Sequence, residues 1–229
     1  MRKTKGFTLI ELMIAMVLGL FVIAVVIITY SMTVSGSSAT IKSARLNHDL
    51  GLAMTLIVND IKRSGYWGGA TSNADASTNP FMDATQRPAF YNPVGGLATC
   101  VVYSYDADGD ETVDTDEYYG FRLNSGTIQM RLTGTTNANC TDGNWTSGEI
   151  VDGDEINVTN LTFTPTYSCL NVTTPASTIQ ATTTECSTVS DSVIELRQVS
   201  VSLTAQLVDD TAVSKTVTEI VMFRNNRIL

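Results

Sequence analysis

The chain has 229 residues and a formal net charge of −9, from 14 Lys and Arg against 23 Asp and Glu. This length holds one ordinary domain with an appended segment, and the acidic balance argues against nucleic-acid binding, which needs a concentrated basic surface. Apolar residues make up 43% of the chain but cluster near the N-terminus, which predicts a membrane segment followed by a polar, β-rich domain.

The apolar N-terminal segment follows a short basic stretch. Residues 12–30 contain no charged side chain, and as a helix they would rise about 28 Å, close to the thickness of the bilayer hydrocarbon. A secretory signal carries its small-residue cleavage site after the apolar region, whereas here the small residue Gly6 precedes it, so cleavage would spare the helix. The basic residues Arg2, Lys3 and Lys5 predict a cytoplasmic N-terminus, with the remainder of the chain across the membrane.

Residues 5–11, KGFTLIE, resemble the prepilin processing motif of type IV pilins and type II secretion pseudopilins. The resemblance implies that a prepilin peptidase cleaves after Gly6 and methylates the new amino group of Phe7, and that Glu11 is required for assembly. A carboxylate within a membrane segment costs about 2.5 to 3.5 kcal/mol unless it finds a partner, and the Phe7 ammonium of a neighbouring subunit could be that partner. The alternative is that Glu11 merely favours the positive end of its own helix dipole.

The next segment predicts a continuation of the helix. Residues 33–40, TVSGSSAT, have weak helix propensity, and Gly36 marks a predicted kink. Helical patterning then returns with apolar residues spaced 4, 3, 4 and 4, a stripe that predicts packing against a sheet and an end near Gly65. The stripe consists of Leu46, Leu50, Ala53, Ile57 and Ile61.

Two further stretches narrow the resemblance. Residues 59–68, NDIKRSGYWG, resemble the end of the spine in PilW-type minor pilins, and residues 223–227, FRNNR, resemble an ending shared with GspJ-type minor pseudopilins. The implied architecture is an α+β type IV pilin fold, in which a long N-terminal helical spine, half transmembrane and half amphipathic, packs on an antiparallel β-sheet headgroup. The predicted divisions are a leader at 1–6, a transmembrane and assembly helix at 7–30, an amphipathic continuation at 31–65 and a β-rich headgroup at 66–229.

The headgroup sequence predicts one long loop and then strands. Residues 70–97 show no periodicity and are rich in turn-forming residues, with Phe81, Phe90 and Tyr91 as candidate anchors. In residues 199–207 apolar and polar side chains alternate, so one face of this strand meets the core. The strand candidates are residues 99–105, 118–123, 127–132, 157–167, 192–208 and 215–223.

The four cysteines lie beyond the apolar segment and lack metal-binding or CxxC spacing. An even count in an exported domain predicts two disulfides. Of the three possible connectivities, the one with the shortest loops joins Cys100 to Cys140 and Cys169 to Cys186.

An acidic stretch, residues 106–117, carries seven carboxylates in twelve residues, with oxygen ligands at loop positions 1, 3, 5, 9 and 12. This is the spacing of a calcium-binding loop. It departs from an EF-hand because Glu111 stands where that turn prefers Gly and because the flanks predict strands; the alternative is a solvated acidic turn. The candidate Ca²⁺ ligands are Asp106, Asp108, Asp110, the Thr112 carbonyl, Asp114 and Glu117.

No pattern of residues indicates a catalytic site, so we expect the chain not to be an enzyme. The resemblance implies a minor pilin that helps to initiate type IV pilus assembly and lies near the filament tip. Its implied partners are the prepilin peptidase, the assembly platform, other minor and major pilins and a tip adhesin. It would pass once through the bacterial inner membrane, with a periplasmic C-terminal domain, before entering the extracellular pilus. The alternatives are a GspJ-like minor pseudopilin of a type II secretion system and a calcium-dependent adhesive module at the pilus tip.

Overall fold

The structure is a computed structural model that describes residues 6–71, 75–92, 97–146, 150–172, 180–182, 184–186 and 193–229. The chain divides into two units, Met1–Arg45 and Leu46–Leu229. The three basic residues of the predicted leader and the predicted strand start at Ser192 lie outside the described residues.

The longest element is helix α1 (Leu9–Ile61), with 53 residues. It is helical throughout residues 33–40, so the weak local propensity there does not end the helix. The hydroxyl groups of Thr33 and Thr40 donate hydrogen bonds to the carbonyl oxygens of Thr29 and Gly36, at 2.8 and 2.9 Å, which satisfies these polar groups within the helix itself. Among the described residues, α1 is the one helix that is long and apolar enough to cross a membrane.

The last turns of α1 belong to the core of the second unit. The five residues of the predicted apolar stripe, from Leu46 to Ile61, are all buried, as are Met54 and Val58 beside them. They pack in one cluster with inward-facing residues of the strands, including Phe121, Phe163 and Val201. The predicted α+β architecture, a long N-terminal helix packed on antiparallel sheets, is confirmed.

Nine described strands form two antiparallel sheets. The first sheet has the order β1-β2-β3-β4, and the second has the order β6-β5-β7-β8, with β9 also pairing with β7. The bounds are β1 (Ala89–Tyr91), β2 (Cys100–Ser104), β3 (Tyr118–Asn124), β4 (Thr127–Met130), β5 (Ile156–Asn171), β6 (Gln180–Thr182), β7 (Val193–Leu207), β8 (Ser214–Met222) and β9 (Arg227–Ile228).

Strand β7 shows the clearest match between pattern and structure. Its residues alternate between buried and half-buried along the whole strand, and the predicted inward set, which includes Val199, Val201 and Leu203, is buried. A strand with one face on a core and the other toward solvent has this period of two.

The predicted loop at residues 70–97 contains more structure than its composition indicates. Short 3-10 helices at Ala76–Thr78 and Pro80–Met82 precede β1. The aromatic residues predicted as anchors act as such: Phe81 is fully buried, Phe90 meets Phe223 edge-on with ring centroids 6.4 Å apart, and the Tyr91 hydroxyl donates to the Asn137 carbonyl oxygen at 2.7 Å.

Candidate functional site

The N-terminal motif forms the start of α1. Both the backbone N–H and the hydroxyl of Thr8 donate to Glu11 Oε2, at 2.9 and 2.8 Å, while the Glu11 N–H points back to Thr8 Oγ1 at 3.4 Å. This reciprocal arrangement is a capping box, which satisfies backbone donors that the first helical turn leaves free. The carboxylate therefore lies at the positive end of the helix dipole.

Every residue from 6 to 41 is exposed. Phe7 is 89% exposed, and the large apolar side chains that follow it are uncovered in the same way. An apolar surface this long is not stable in water. It needs lipid or other apolar helices to cover it.

The signature after α1 forms a compact turn. Gly65 adopts φ +70°, a backbone conformation that favours glycine, and a Cβ at this position would lie 2.6 Å from Met82 Sδ. The Gly65 N–H donates to the Ser104 carbonyl oxygen at 2.8 Å, and its own carbonyl accepts from Asn79 Nδ2 at 3.0 Å. The turn thereby fixes the end of the helix against β2.

Charged residues of the same signature hold an aromatic cluster. Asp60 accepts hydrogen bonds from the hydroxyls of Tyr103 and Tyr105, at 2.5 and 3.2 Å. The Arg63 guanidinium lies 4.2 Å from the centre of the Tyr105 ring, and that ring stacks on Tyr119 at 4.0 Å. These contacts tie the last turn of α1 to β2 and β3.

The acidic loop connects β2 to β3, so its flanks are strands. Asp106, its first residue, is 1% exposed and accepts three backbone hydrogen bonds. Gly109 N–H donates to Oδ1 at 2.7 Å, and the N–H groups of Gly68 and Glu111 donate to Oδ2 at 2.8 and 3.3 Å. The Asp106 carboxylate thus joins the loop to the segment that follows α1.

Glu117, the last residue of the loop, has a similar role. It is 3% exposed, and its two oxygens accept from the N–H groups of Ala107 and Asp114 at 2.6 and 3.1 Å. Burial raises the pKa of Glu117, and the nearby carboxylates of Asp106 and Asp108 raise it further, although these hydrogen bonds oppose the rise.

The loop brings the predicted carboxylate ligands together in two overlapping groups that share Asp108. The carboxylate oxygens of Asp106, Asp108 and Glu117 lie within 4.8 Å of one another, and so do those of Asp108, Asp110 and Asp114. Carboxylate oxygens are the ligands that Ca²⁺ prefers, and each can accept a hydrogen bond and bind a cation at once. The arrangement therefore fits a divalent cation.

Two further residues of the predicted calcium loop are Thr112, the remaining candidate ligand, and Glu111, which stands where such a loop prefers Gly. Thr112 donates its backbone N–H to Asp110 Oδ1 at 2.8 Å. Glu111 has φ +68°, the left-handed conformation for which this loop position ordinarily uses Gly. The loop thus keeps the calcium-loop backbone at the residue where the sequence departs from it.

The two disulfides have the predicted connectivity, the one with the shortest loops. Cys100 is bonded to Cys140, and Cys169 to Cys186. The first bond joins β2 to the segment after β4. The second joins β5 to the segment that precedes β7.

Sequence reasoning missed a group of buried charges at the start of β7. The inward-facing alternation of this strand continues through Glu195 and Arg197, which are 0% and 2% exposed and paired with each other. The Arg197 guanidinium also lies 3.8 Å from the Glu185 carboxylate. Glu185 forms a second ion pair with the Arg87 guanidinium at 2.6 Å. The sequence did carry a signal for this pair. Glu195 and Arg197 stand at positions that the two-residue alternation of the strand assigns to its core-facing side.

The apolar helix with its capped carboxylate and the antiparallel headgroup together define a type IV minor pilin-like protein, a class of structural and not enzymatic proteins. A prokaryotic N-terminal methylation motif matches residues 1–27. The family described as PpdB, prepilin peptidase-dependent protein B, matches residues 39–223, and the chain belongs to this family. Neither the curated proteins nor the solved structures provide a match.

Proposed function

We propose that this chain is a minor pilin of a type IV pilus, of the PilW type, which helps to initiate assembly and lies near the filament tip. The main support is that residues 6–41, which include the first part of α1, are all exposed and that residues 12–30 carry no charge. Such a surface is compatible with lipid before assembly and with a bundle of like helices afterwards. Other minor and major pilins, the assembly platform and a tip adhesin are the partners, and the chain itself catalyses no reaction.

The N-terminal methylation motif at residues 1–27 supports the following maturation steps. Prepilin peptidase removes residues 1–6 by cleavage between Gly6 and Phe7 and methylates the new amino group of Phe7. Residues 7–30 then hold the chain in the inner membrane with a cytoplasmic N-terminus. Residues 31–65 continue the spine, and residues 66–229 form a periplasmic headgroup that the pilus later carries outside the cell.

Glu11 selects the register of assembly by pairing with the Phe7 ammonium of a neighbouring subunit. In a single chain its carboxylate is satisfied by Thr8 in the capping box. In the membrane an unpartnered carboxylate costs about 2.5 to 3.5 kcal/mol. Pairing with a second subunit removes this cost, whereas helix capping alone would need no neighbour.

Three substitutions separate the assembly role from the capping role. Glu11→Gln retains an oxygen that can complete the capping box but removes the charge, and Glu11→Ala removes both. Thr8→Ala is the matched control because it removes the Thr8 hydroxyl and its two hydrogen bonds from the cap and keeps the charge of Glu11. We expect both Glu11 variants to be processed and inserted but absent from sheared filaments, and Thr8→Ala to be incorporated. Incorporation of Glu11→Gln at the wild-type level would contradict the proposal.

The ending at residues 223–227, which resembles that of GspJ-type proteins, favours a second candidate: a minor pseudopilin of a type II secretion system. Deletion of the gene distinguishes the two. Loss of surface pili supports the pilus role, whereas retention of pili with loss of secreted enzymes from the medium supports the secretion role.

The acidic loop binds Ca²⁺ through Asp106, Asp108, Asp110, the Thr112 carbonyl, Asp114 and Glu117. The support is that the five carboxylates form two groups that share Asp108, together with the left-handed backbone at Glu111. At the pilus tip the bound ion would stabilise the strand connection and so serve a calcium-dependent adhesive surface.

A further inference from the structure

Strand β8 is an edge of the five-stranded sheet. It pairs with β7 along nine residues and, within the described ranges, with no other strand. All of its side chains except those of Val217 and Val221 are exposed. A long exposed edge presents unpaired N–H and C=O groups that an extended strand from another chain can bind.

The register identifies the backbone groups that face this free edge. The Phe223 N–H donates to the Arg197 carbonyl oxygen at 3.0 Å and extends the β7 pairing. Because hydrogen-bonded and non-hydrogen-bonded pairs alternate in antiparallel strands, the odd-numbered residues of β8 bond to β7. The even-numbered residues direct their N–H and C=O groups outward: Ser214, Thr216, Thr218, Ile220 and Met222.

Two opposite charges stand on the core-facing side of this edge. Lys215 and Glu219 pair in register with the buried residues Ala205 and Val201, so they share the face of the sheet on which the core lies. Both side chains are nevertheless exposed. In the part of the chain that the structure describes, neither forms an ion pair. Both charges are therefore available to a strand that adds to β8.

Helix α1 leaves room beside these charges. A groove of about 330 Å³ lies between β8 and α1, lined by Val217 and Glu219 on the strand and by α1 residues that include Gly51 and Lys62. A Cβ built on Gly51 would meet no atom within 4 Å. The core-facing side of β8 is thus open at the centre of the strand.

The positions of the two charges match those of a second copy of β8. When two identical strands pair antiparallel about a twofold axis, residues at equal distances on either side of the axis lie opposite each other. Val217 is two residues from Lys215 and two from Glu219. With the axis at Val217, Lys215 of each copy lies opposite Glu219 of the other, with their Cβ atoms about 4.5 to 5.5 Å apart.

Other symmetric registers fit less well. An axis at residue 215 or 219 would place two like charges opposite each other, which is destabilising. An axis at residue 216 or 218 would leave both charges opposite uncharged residues. Charge therefore selects the register that is centred on Val217.

The same register satisfies the free backbone groups. Thr216 of each copy lies opposite Thr218 of the other, and Ser214 lies opposite Ile220, so all four positions bring outward N–H and C=O groups together. Each such pair exchanges two hydrogen bonds, about eight in all. On the outer face, the Thr216 and Thr218 hydroxyls already form cross-strand hydrogen bonds with Thr204 and Ser202, at 2.9 and 3.2 Å, and the pairing extends this uncharged ladder into the second copy.

We propose that two copies of this chain associate by antiparallel pairing of their β8 strands about Val217, so that one continuous sheet crosses both. The two ion pairs between Lys215 and Glu219 set the register, and the closed twofold arrangement leaves neither β8 edge free. The pairing requires only two copies of this chain and does not depend on the pilus role.

The test uses the full chain, purified in detergent. Because no native cysteine is free, Val217→Cys introduces a single thiol. On the twofold axis the two copies of this position lie about 4.5 Å apart between Cα atoms, within reach of a disulfide. Ser214→Cys is the control: Ser214 is the more exposed residue, but in this register its two copies lie about 20 Å apart.

Exchange of the charges identifies the partner strand. In the Val217→Cys background, Lys215→Glu and Glu219→Lys each place two like-charge pairs across the interface. The two substitutions together restore opposite charges only if both strands belong to this chain. A partner with a different sequence would be mismatched at both positions by the double variant.

We expect Val217→Cys to form a disulfide-linked dimer of this chain on mild oxidation and Ser214→Cys to form none. Each single charge variant should reduce the dimer at least about fivefold, and the double variant should restore it to within about twofold. No dimer with Val217→Cys, an equal dimer with Ser214→Cys, or a double variant that stays low would overturn the proposal.

A second measurement decides if Val217→Cys fails to accumulate. Wild-type chains with two isotope labels are mixed and treated with a zero-length reagent that joins amines to carboxylates. We expect mass spectrometry to detect a bond between Lys215 of one label and Glu219 of the other. Absence of this mixed cross-link would overturn the proposal in the same way.

Discussion

The side-chain amide of Asn225 donates a hydrogen bond to the carbonyl oxygen of Ser64 at 2.9 Å, across 161 residues of sequence. Ser64 is 1% exposed and lies in the turn that ends the spine. The contact joins the two stretches that carry the closer family resemblance, residues 59–68 and 223–227. This hydrogen bond gives a structural reason for the two stretches to occur in the same chain.

Asn225→Ala should lower the free energy of unfolding by about 1 to 3 kcal/mol, because it leaves a buried carbonyl oxygen without this donor. Asn226→Ala is the matched control, since Asn226 is exposed one residue further on. Urea unfolding of the full chain in detergent measures both. Equal effects of the two substitutions would show that the contact with Ser64 contributes nothing.

The ion pair between Arg131 and Asp142 should make the stability of the fold depend on pH. The Arg131 side chain is 0% exposed, and its guanidinium lies 2.5 Å from the Asp142 carboxylate. Burial alone would raise the pKa of Asp142, but hydrogen bonds from Thr135 and Thr136 and the Arg131 charge outweigh it and lower the pKa below the ordinary 3.8. A carboxyl group whose pKa is lower in the folded state stabilises the fold above pH 3.8, and this stability is lost as the pH falls through the folded pKa.

Asp142→Asn should therefore lower the free energy of unfolding by about 2 to 4 kcal/mol near pH 7. This is somewhat less than the loss of one partner costs in a fully buried ion pair, because Asp142 is partly exposed. The difference from the wild type should shrink as the pH falls below 3.8, which urea unfolding at several pH values measures. Asp209→Asn, at an exposed position, is the control and should have no such effect. A difference that is independent of pH would contradict the ion-pair explanation.

Calcium should raise the melting temperature of the protein. A ligand present at 100 times its Kd stabilises the folded state by about 2.7 kcal/mol. Asp108→Ala should abolish the rise because Asp108 belongs to both carboxylate groups, whereas Asp116→Ala, in the same loop but in neither group, should retain it. Absence of binding heat at millimolar Ca²⁺ in calorimetry would reject the site.

Glu111 should be replaceable by glycine with a gain in stability. A left-handed conformation costs a residue with a Cβ about 1 to 2 kcal/mol, and Glu111 has φ +68°. Glu111→Gly should relieve this cost, whereas Glu111→Ala removes the same charge and keeps the Cβ. Thermal unfolding that shows equal gains for both variants would assign the effect to charge and not to the backbone.

The sequence predicted the elements whose patterns are long. The apolar stripe from Leu46 to Ile61, the alternation along β7 and the disulfide order all depend on spacing within the chain. The short strands β1, β6 and β9 were not predicted, because two or three residues show no periodicity and pair only where a neighbouring strand offers a free edge. Residues 33–40 stayed helical despite weak propensity, since a helix extends more easily than it begins.

In the candidate sites too, spacing within the chain predicted some features and left others unpredicted. Spacing alone predicted that the carboxylates of residues 106–117 would gather. It did not predict that Asp106 would be buried and accept a hydrogen bond from Gly68, 38 residues away, or that Glu195 and Arg197 would form a buried ion pair on the core-facing side of β7. Both arrangements depend on contacts between distant segments, which no local pattern encodes.

Mass spectrometry of the chain recovered from sheared filaments tests the central claim most directly. We predict a mature N-terminus at Phe7 that carries one methyl group, with residues 7–30 retained. A chain that begins beyond Tyr30, or one that still carries residues 1–6 in the filament, would contradict it.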